Sequence, residues 1–208
     1  MLPESIAVTI IVIEALENLG VTYVIGGSMA SGVHGVLRAT MDADLVADLR
    51  MVHARPLAAA LNDLFYADLD TMREAIRSRS SFNVIHLKTA FKVDIFVAGR
   101  RAFERAQLAR RQLHLIHVEP PVTAYVSTAE DIILAKLDWY RLSGCVSDRQ
   151  WRDVLGVIMT QGDELDTGYL REMAVTMGIA RLLKRAVEEA GGSTESGRTQ
   201  TGGSHIPG

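Results

Sequence analysis

Cysteine is nearly missing from this chain of 208 residues; Cys145 is the only one. An intrachain disulfide is therefore impossible, and nothing points to an oxidising compartment. The six histidines are scattered and show no zinc-ligand spacing. Long apolar runs are missing too. The longest, Val8 to Ile13 with Thr9 inside it, falls far short of the roughly 20 residues that span a bilayer. The first residues include Glu4 and no basic segment, a poor signal peptide. Strong charge of either sign is also missing. A net charge of −3 gives no global attraction to nucleic acid or membrane, although it leaves room for a local basic patch. No internal repeat is visible. What the chain does have is 48% hydrophobic residues, enough for a real core. Its length suits one domain or two small ones. The expectation is a soluble, cytoplasmic protein with no membrane contact.

Periodicity supplies the elements. Ile6, Ile10, Ile13, Leu16 and Leu19 recur at helical spacing, with Pro3 and Glu4 ahead and Gly20 behind, so residues 3–19 read as an amphipathic helix. Residues 21–26 read as a strand. Ser28 suits the N-cap of a short helix ended by Gly35, and residues 43–49 form a second strand. Helices are expected over 51–65 and 68–78. The runs 81–87 and 90–97 read as a hairpin. In its second arm Lys92, Asp94 and Phe96 share one face, and Val93, Ile95 and Val97 the other. A short helix over 100–108 and a strand over 113–118 follow, stopped by Pro120-Pro121. After residue 126 the pattern turns helical. Ser127-x-x-Glu130 and Ser147-x-x-Gln150 look like capping boxes, and Val146 with Trp151 has the spacing of a hydrophobic staple. Further helices fall at 166–177 and 179–190. The expected organisation is an α/β half over 1–122, a mixed sheet flanked by helices. A small helical bundle over 123–190 and a disordered tail over 191–208 follow it.

One stretch carries chemistry. An apolar run ending at Ile25 meets Gly26-Gly27-Ser28. A small-residue segment follows, then Asp42-Ala43-Asp44 and another apolar run. Aspartates at i and i+2 of a strand point to one face, with Cα atoms about 6.6 Å apart, so both can reach one divalent cation. The glycine turn offers bare backbone N–H groups to a phosphate. Alone, Asp-x-Asp is most often a solvated strand edge and Gly-Gly-Ser most often a plain turn; the pair in this order is more specific. Asp94 stands mid-strand between Val93 and Ile95, an odd place for a charge unless that face is solvated.

This order resembles the signature of the nucleotidyltransferases of the DNA polymerase β type: an apolar strand, a glycine turn, about a dozen residues, then Asp-x-Asp. The resemblance implies a nucleotidyltransferase-fold sheet and a third carboxylate on a later strand in an apolar-Asp-apolar setting, which Val93-Asp94-Ile95 fits. It implies that Asp42 and Asp44 bind two metal ions and a nucleoside triphosphate. Asp94 would bind the metal beside the attacking hydroxyl and accept its proton. Gly26, Gly27 and Ser28 would hold the β- and γ-phosphates. All-carboxylate ligation favours Mg²⁺ or Mn²⁺ over zinc, and three clustered carboxylates need a cation between them.

The helical half adds Lys136, Tyr140, Arg141, Arg152 and Asp153. Lys136 either snorkels to solvent or reaches the triphosphate. Tyr140, on the same helix face, would stack near a base or ribose. Arg141, Arg152 and Asp153 read as support, the last two as a pair across to the Lys136 helix. Lys136-x-x-x-x-Arg141 followed by Arg152-Asp153 looks like the helical motif of AbiEii-type nucleotidyltransferases, many of which are toxins of toxin–antitoxin or phage-defence systems. That resemblance implies an antitoxin partner and an acceptor hydroxyl on RNA, tRNA or protein. A basic strip (Arg73, Arg77, Arg79, Arg100, Arg101, Arg105, Arg110 and Arg111) is either a set of solvated helix faces or a path for RNA. The competing functions are a non-catalytic nucleotide-binding antitoxin or regulator of the same fold, and an RNA-binding module.

Overall fold

The computed structural model describes residues 2–36 and 42–196. The expected tail beyond 196, and Thr40-Met41 just ahead of the first aspartate, lie outside the described residues. The described chain divides into two compact units. The first holds the chain to Val33 and from 42 to Ile132; the second holds His34–Val36 and the chain from Ile133 on.

The first unit is built on a sheet of seven described strands. These are β1 (Tyr23–Ile25), β2 (Asp42–Ala47), β3 (Phe65–Tyr66), β4 (Ser81–His86), β5 (Lys92–Val97), β6 (Gln112–His117) and β7 (Val122–Val126). Their order is β3-β4-β5-β2-β1-β7-β6. The sheet is mixed, as expected. β2 runs parallel to β5 and β1 to β7, while β1–β2, β3–β4, β4–β5 and β6–β7 are antiparallel. Around the sheet lie α1 (Glu4–Asn18), α2 (Gly27–Val33), α3 (Met51–Leu61), α4 (Leu69–Ser78) and α5 (Ala102–Arg110).

Alternation along β2 and β5 decides what faces the core. Ala43, Leu45 and Ala47, with Val93, Ile95 and Val97, are buried on one side. Asp42, Asp44 and Val46, with Lys92, Asp94 and Phe96, are half-buried on the other. Farther along that second side Val46 packs against Val24, Ala98 and Leu108, the last from α5, so apolar cover ends where the aspartates begin.

The second unit continues α6 (Ala129–Leu142) beyond Ile132 and adds α7 (Asp148–Gln161), a 3-10 turn (Gly162–Glu164), α8 (Thr167–Thr176) and α9 (Ala180–Ser196). Helix α9 thus runs past residue 190. Trp151 organises the core here. Its ring lies 5.1 Å from that of Tyr140, its indole N–H donates to Glu189 at 3.2 Å, and the Arg185 guanidinium covers it at 4.4 Å. His34–Val36 joins this unit through glycines. A Cβ on Gly35 would lie 2.3 Å from Thr160 Cγ2, and one on Gly156 2.8 Å from Val36 Cγ2.

Several local expectations shift. Helix α3 stops at Leu61, because Phe65 leaves the helix to pair with His86 as β3. Helix α2 begins at Gly27, so Ser28 lies inside its first turn rather than at its cap. At the start of α6 the Ser127 hydroxyl accepts from Gln107 Nε2 at 3.1 Å, and Thr128 Oγ1 accepts from the Asp131 N–H. Ser147 caps α7. The staple beside it does not form, since Val146 is 77% exposed while Trp151 is buried.

Candidate active site

Three acids from two strands share one face of the first unit. Asp44 and Asp94 are directly opposed on parallel β2 and β5, and Asp42 is opposed to Lys92. Neighbouring strands run about 4.8 Å apart, so the Asp44 and Asp94 backbones lie at that spacing, with Asp42 about 6.6 Å along the strand.

The glycine turn is fitted to the second aspartate. The Gly26 N–H donates to the Asp44 carbonyl at 2.9 Å. Gly27 has φ +55°, and a Cβ there would sit 1.7 Å from Asp44 Oδ2. Only glycine both adopts that backbone and leaves room for the carboxylate. Ser28 follows, buried, and the Ser31 hydroxyl donates to the Gly27 carbonyl at 2.9 Å.

Lys92 has a role here that its sequence pattern only hinted at. Its Nζ lies 2.6 Å from Asp94 Oδ2. Its ammonium is held above the usual lysine range, first by that hydrogen bond and then by the charges of Asp94, Asp42 and Asp44. The signal was its parity with Asp94, two residues away on one strand face. Among the described residues no three His, Cys, Asp or Glu side chains converge closely enough to hold a metal ion. Three carboxylates offer only oxygen donors, the chemistry that Mg²⁺ or Mn²⁺ takes; in this arrangement Asp94 is paired with the Lys92 ammonium.

The helical constellation belongs to the second unit and is engaged there. Lys136 is buried, with Nζ 2.8 Å from Asp153 Oδ2 and 3.3 Å from Gln150 Oε1; it does not snorkel to solvent. Tyr140 is buried against Trp151. Arg141 pairs with Asp138 at 2.7 Å. Arg152 and Asp153 were expected to reach across to α6 together, but Arg152 stays on its own helix, where its Nε donates to the Asp148 carbonyl at 3.4 Å on the surface. Of that expected pair it is Asp153 that reaches Lys136, with Gln150 beside it.

The basic strip does not stay together. Arg73 pairs with Asp70 at 3.1 Å, Arg110 with Glu130 at 3.2 Å, and Arg111 lies 4.5 Å from the centre of the Tyr125 ring. Arg77, Arg79, Arg100 and Arg101 instead share one cavity with Arg50.

Among the described residues no helix is long and apolar enough to cross a membrane. No family model matches the chain, and no curated sequence does. Solved structures do. The crystal structure of ANT(2")-Ia in complex with adenylyl-2"-tobramycin aligns at TM-score 0.54 and 16% identity, over 88% of this chain and 99% of that one. The solution structure of the same antibiotic-resistance factor aligns at 0.51 and 14%, over 92% and 97%. The lincosamide antibiotic adenylyltransferase LnuA, bound to lincomycin, aligns at 0.46 and 13%, over 72% and 93%. The mixed sheet with its flanking helices is the fold of the nucleotidyltransferase ANT(2")-Ia, and this chain has that nucleotidyltransferase fold.

Proposed function

We propose that this protein is a nucleotidyltransferase, moving a nucleoside monophosphate from a nucleoside triphosphate to an acceptor hydroxyl. The observation that carries the reading is the register of Asp44 against Asp94, with Asp42 on the same face and Gly27 hollowed to admit the Asp44 carboxylate. The acceptor oxygen bonds to the α-phosphorus, the bond from that phosphorus to its bridging oxygen breaks, and pyrophosphate leaves. Asp94 takes the acceptor proton. Gly27 and Ser28 hold the β- and γ-phosphates through backbone N–H groups, and Gly26 fixes the turn through its own N–H bond to the Asp44 carbonyl. Bound Mg²⁺ or Mn²⁺, held by Asp42, Asp44 and Asp94, would neutralise the triphosphate and the developing charge. Lys136 and Asp153, as a buried pair, act as scaffold in the second unit and not as triphosphate ligands.

For the acceptor, the AbiEii-like helical motif supports an RNA, tRNA or protein hydroxyl and a toxin role with an antitoxin partner. The complex of ANT(2")-Ia with adenylyl-2"-tobramycin supports a small hydroxyl-rich acceptor. A second reading, a non-catalytic nucleotide-binding protein of this fold, is favoured by one observation: the ammonium of Lys92 is paired with the Asp94 carboxylate. One experiment separates them. The protein is incubated with each labelled nucleoside triphosphate, Mg²⁺ or Mn²⁺, and either total cellular RNA or an aminoglycoside panel. Metal-dependent label transfer by wild type, lost in Asp44→Asn, is expected. No transfer to any acceptor, or equal transfer by both proteins, removes the enzyme reading.

A further inference from the structure

We propose that the first unit carries a second binding site, separate from the aspartates, for a compact polyanion with two or more phosphate groups. A cavity of about 640 Å³ is lined by Arg50, Arg77, Arg79, Arg100, Arg101 and Glu104. It opens just beyond the C-terminal ends of β2 and β5. Asp44 and Asp94 are the third residues of those strands, so the strand ends alone lie about 10 Å farther along.

The charge in the cavity is not balanced locally. Arg101 pairs with Glu104 at 2.7 Å, Arg77 pairs with Glu74, and Arg79 reaches Asp48 only at 4.0 Å. Arg50 and Arg100 have no acidic partner among the described residues. Five guanidiniums therefore face three carboxylates, in a chain whose net charge is −3.

The site is also partly built in advance. Arg79 sits in the left-handed region at φ 54°. Its guanidinium donates to the carbonyls of Ala98 at 2.9 Å and Leu49 at 3.3 Å, which ties together the chain leaving both strands. Ile76, buried, contributes an apolar wall. Helices α3 and α5 start at Met51 and Ala102, beside the cavity, and their first N–H groups add to the positive field. Planar guanidinium forks pair well with phosphate oxygens. The concave shape, and the internal pairing of Arg73, Arg110 and Arg111, argue for a small ligand rather than a track along RNA.

The test uses the full chain in EDTA at low salt, titrated with inorganic tripolyphosphate by calorimetry. Saturable binding is expected for wild type and for Asp44→Asn alike. The double variant Arg50→Ser/Arg100→Ser removes two exposed side chains without acidic partners, so its circular dichroism and melting temperature should stay those of wild type. Its affinity should fall about tenfold or more. Tripolyphosphate that fails to bind wild type, or binds the double variant equally well, overturns the proposal. So does a single-stranded RNA oligonucleotide that binds through these arginines where tripolyphosphate does not. The outcome is independent of the proposed transfer reaction, which Asp44→Asn tests and the arginine pair does not touch.

Discussion

Two residues set the terms of the candidate site. Gly27 is constrained twice, by φ +55° and by the carboxylate of Asp44 standing where a Cβ would go. Gly20 has a similar φ, +66°, with nothing within 4 Å of the place a methyl group would take, so it isolates the backbone term. Gly20→Ala should cost about 1 kcal/mol. Gly27→Ala should cost more, about 2–4 kcal/mol, because the carboxylate must also move. Urea unfolding of the two variants measures the difference, and equal losses would mean that Asp44 yields freely. Lys92 is the second residue. Its side chain is 40% exposed, so its bond to Asp94 is worth no more than about 0.2–1 kcal/mol. Because its folded pKa is raised, chiefly by the Asp94 hydrogen bond, that contribution is present below the ordinary lysine value of 10.5 and lost as pH rises through the folded value. Lys92→Met should lose a similar amount in metal-free buffer and gain more than wild type when Mn²⁺ is added, read as a shift in melting temperature. An identical Mn²⁺ response would show that the ammonium and the cation do not compete. The aspartates were readable from spacing alone, since period two places i and i+2 together on any strand. The competitor was only half readable: parity puts Lys92 beside Asp94 on one strand face, but whether it turns to that carboxylate or to solvent is a side-chain choice that parity does not set.

Elements were legible where their signals are local and obscure where a distant partner decides. Ser147 caps α7, as a short polar residue ahead of apolar periodicity announces; Asp68, not singled out in the sequence, caps α4 in the same way by accepting from the Thr71 N–H at 2.7 Å. At the start of α6 a distant residue enters too: Gln107, twenty residues back, donates to the Ser127 hydroxyl. Helix α3 ended early because Phe65 pairs across to β4. The start of α3 also gives a pH dependence. The Arg50 backbone N–H donates to His53 Nδ1 at 3.1 Å, which requires a neutral ring there. Burial, then the charge of Arg50, lowers the His53 pKa from 6.5. Its contribution is therefore present above pH 6.5 and is lost as pH falls from there through the folded value. His53→Asn should flatten the acid side of the stability curve, and an unchanged slope would assign that slope to other groups. Between α6 and α7 the buried Lys136–Asp153 pair makes a sharper case. Removing either partner leaves the other charge buried and should cost about 3–5 kcal/mol, whereas Lys136→Met with Asp153→Leu should recover much of it. A double-mutant cycle in denaturant reads this directly, and additive losses would mean that the two charges do not depend on each other.

At the scale of the whole molecule the order of an α/β part followed by helices was visible in the change of periodicity, but the division was not. The units part between Ile132 and Ile133, ten residues beyond the expected boundary, because Val122–Val126 joins the sheet as β7. Its link to β1 is the Ile25–Val126 pairing, a contact across about a hundred residues that local pattern cannot report. For the same reason Gly35 reads in the sequence only as the end of a short helix, and its packing on Thr160 in the second unit is not visible there. Helix α6 is the element common to both units: Ala129–Ile132 lies in the first, the remainder in the second. Ile132, Ile133, Leu134 and Leu137 are all buried. A helix propagates cooperatively once formed, and losing its middle forfeits hydrogen bonds on both sides. Both tryptophans of the chain, Trp139 and Trp151, lie in the second unit, so indole fluorescence follows that unit while far-ultraviolet circular dichroism follows the whole. If α6 couples the two, thermal unfolding gives one transition by both probes. Leu134→Pro, which breaks the helix at a cost of about 3 kcal/mol or more, should then lower the two signals together. Separate midpoints in wild type, or a variant that shifts fluorescence while the remaining dichroism melts unchanged, would mean that each unit holds its fold without the other.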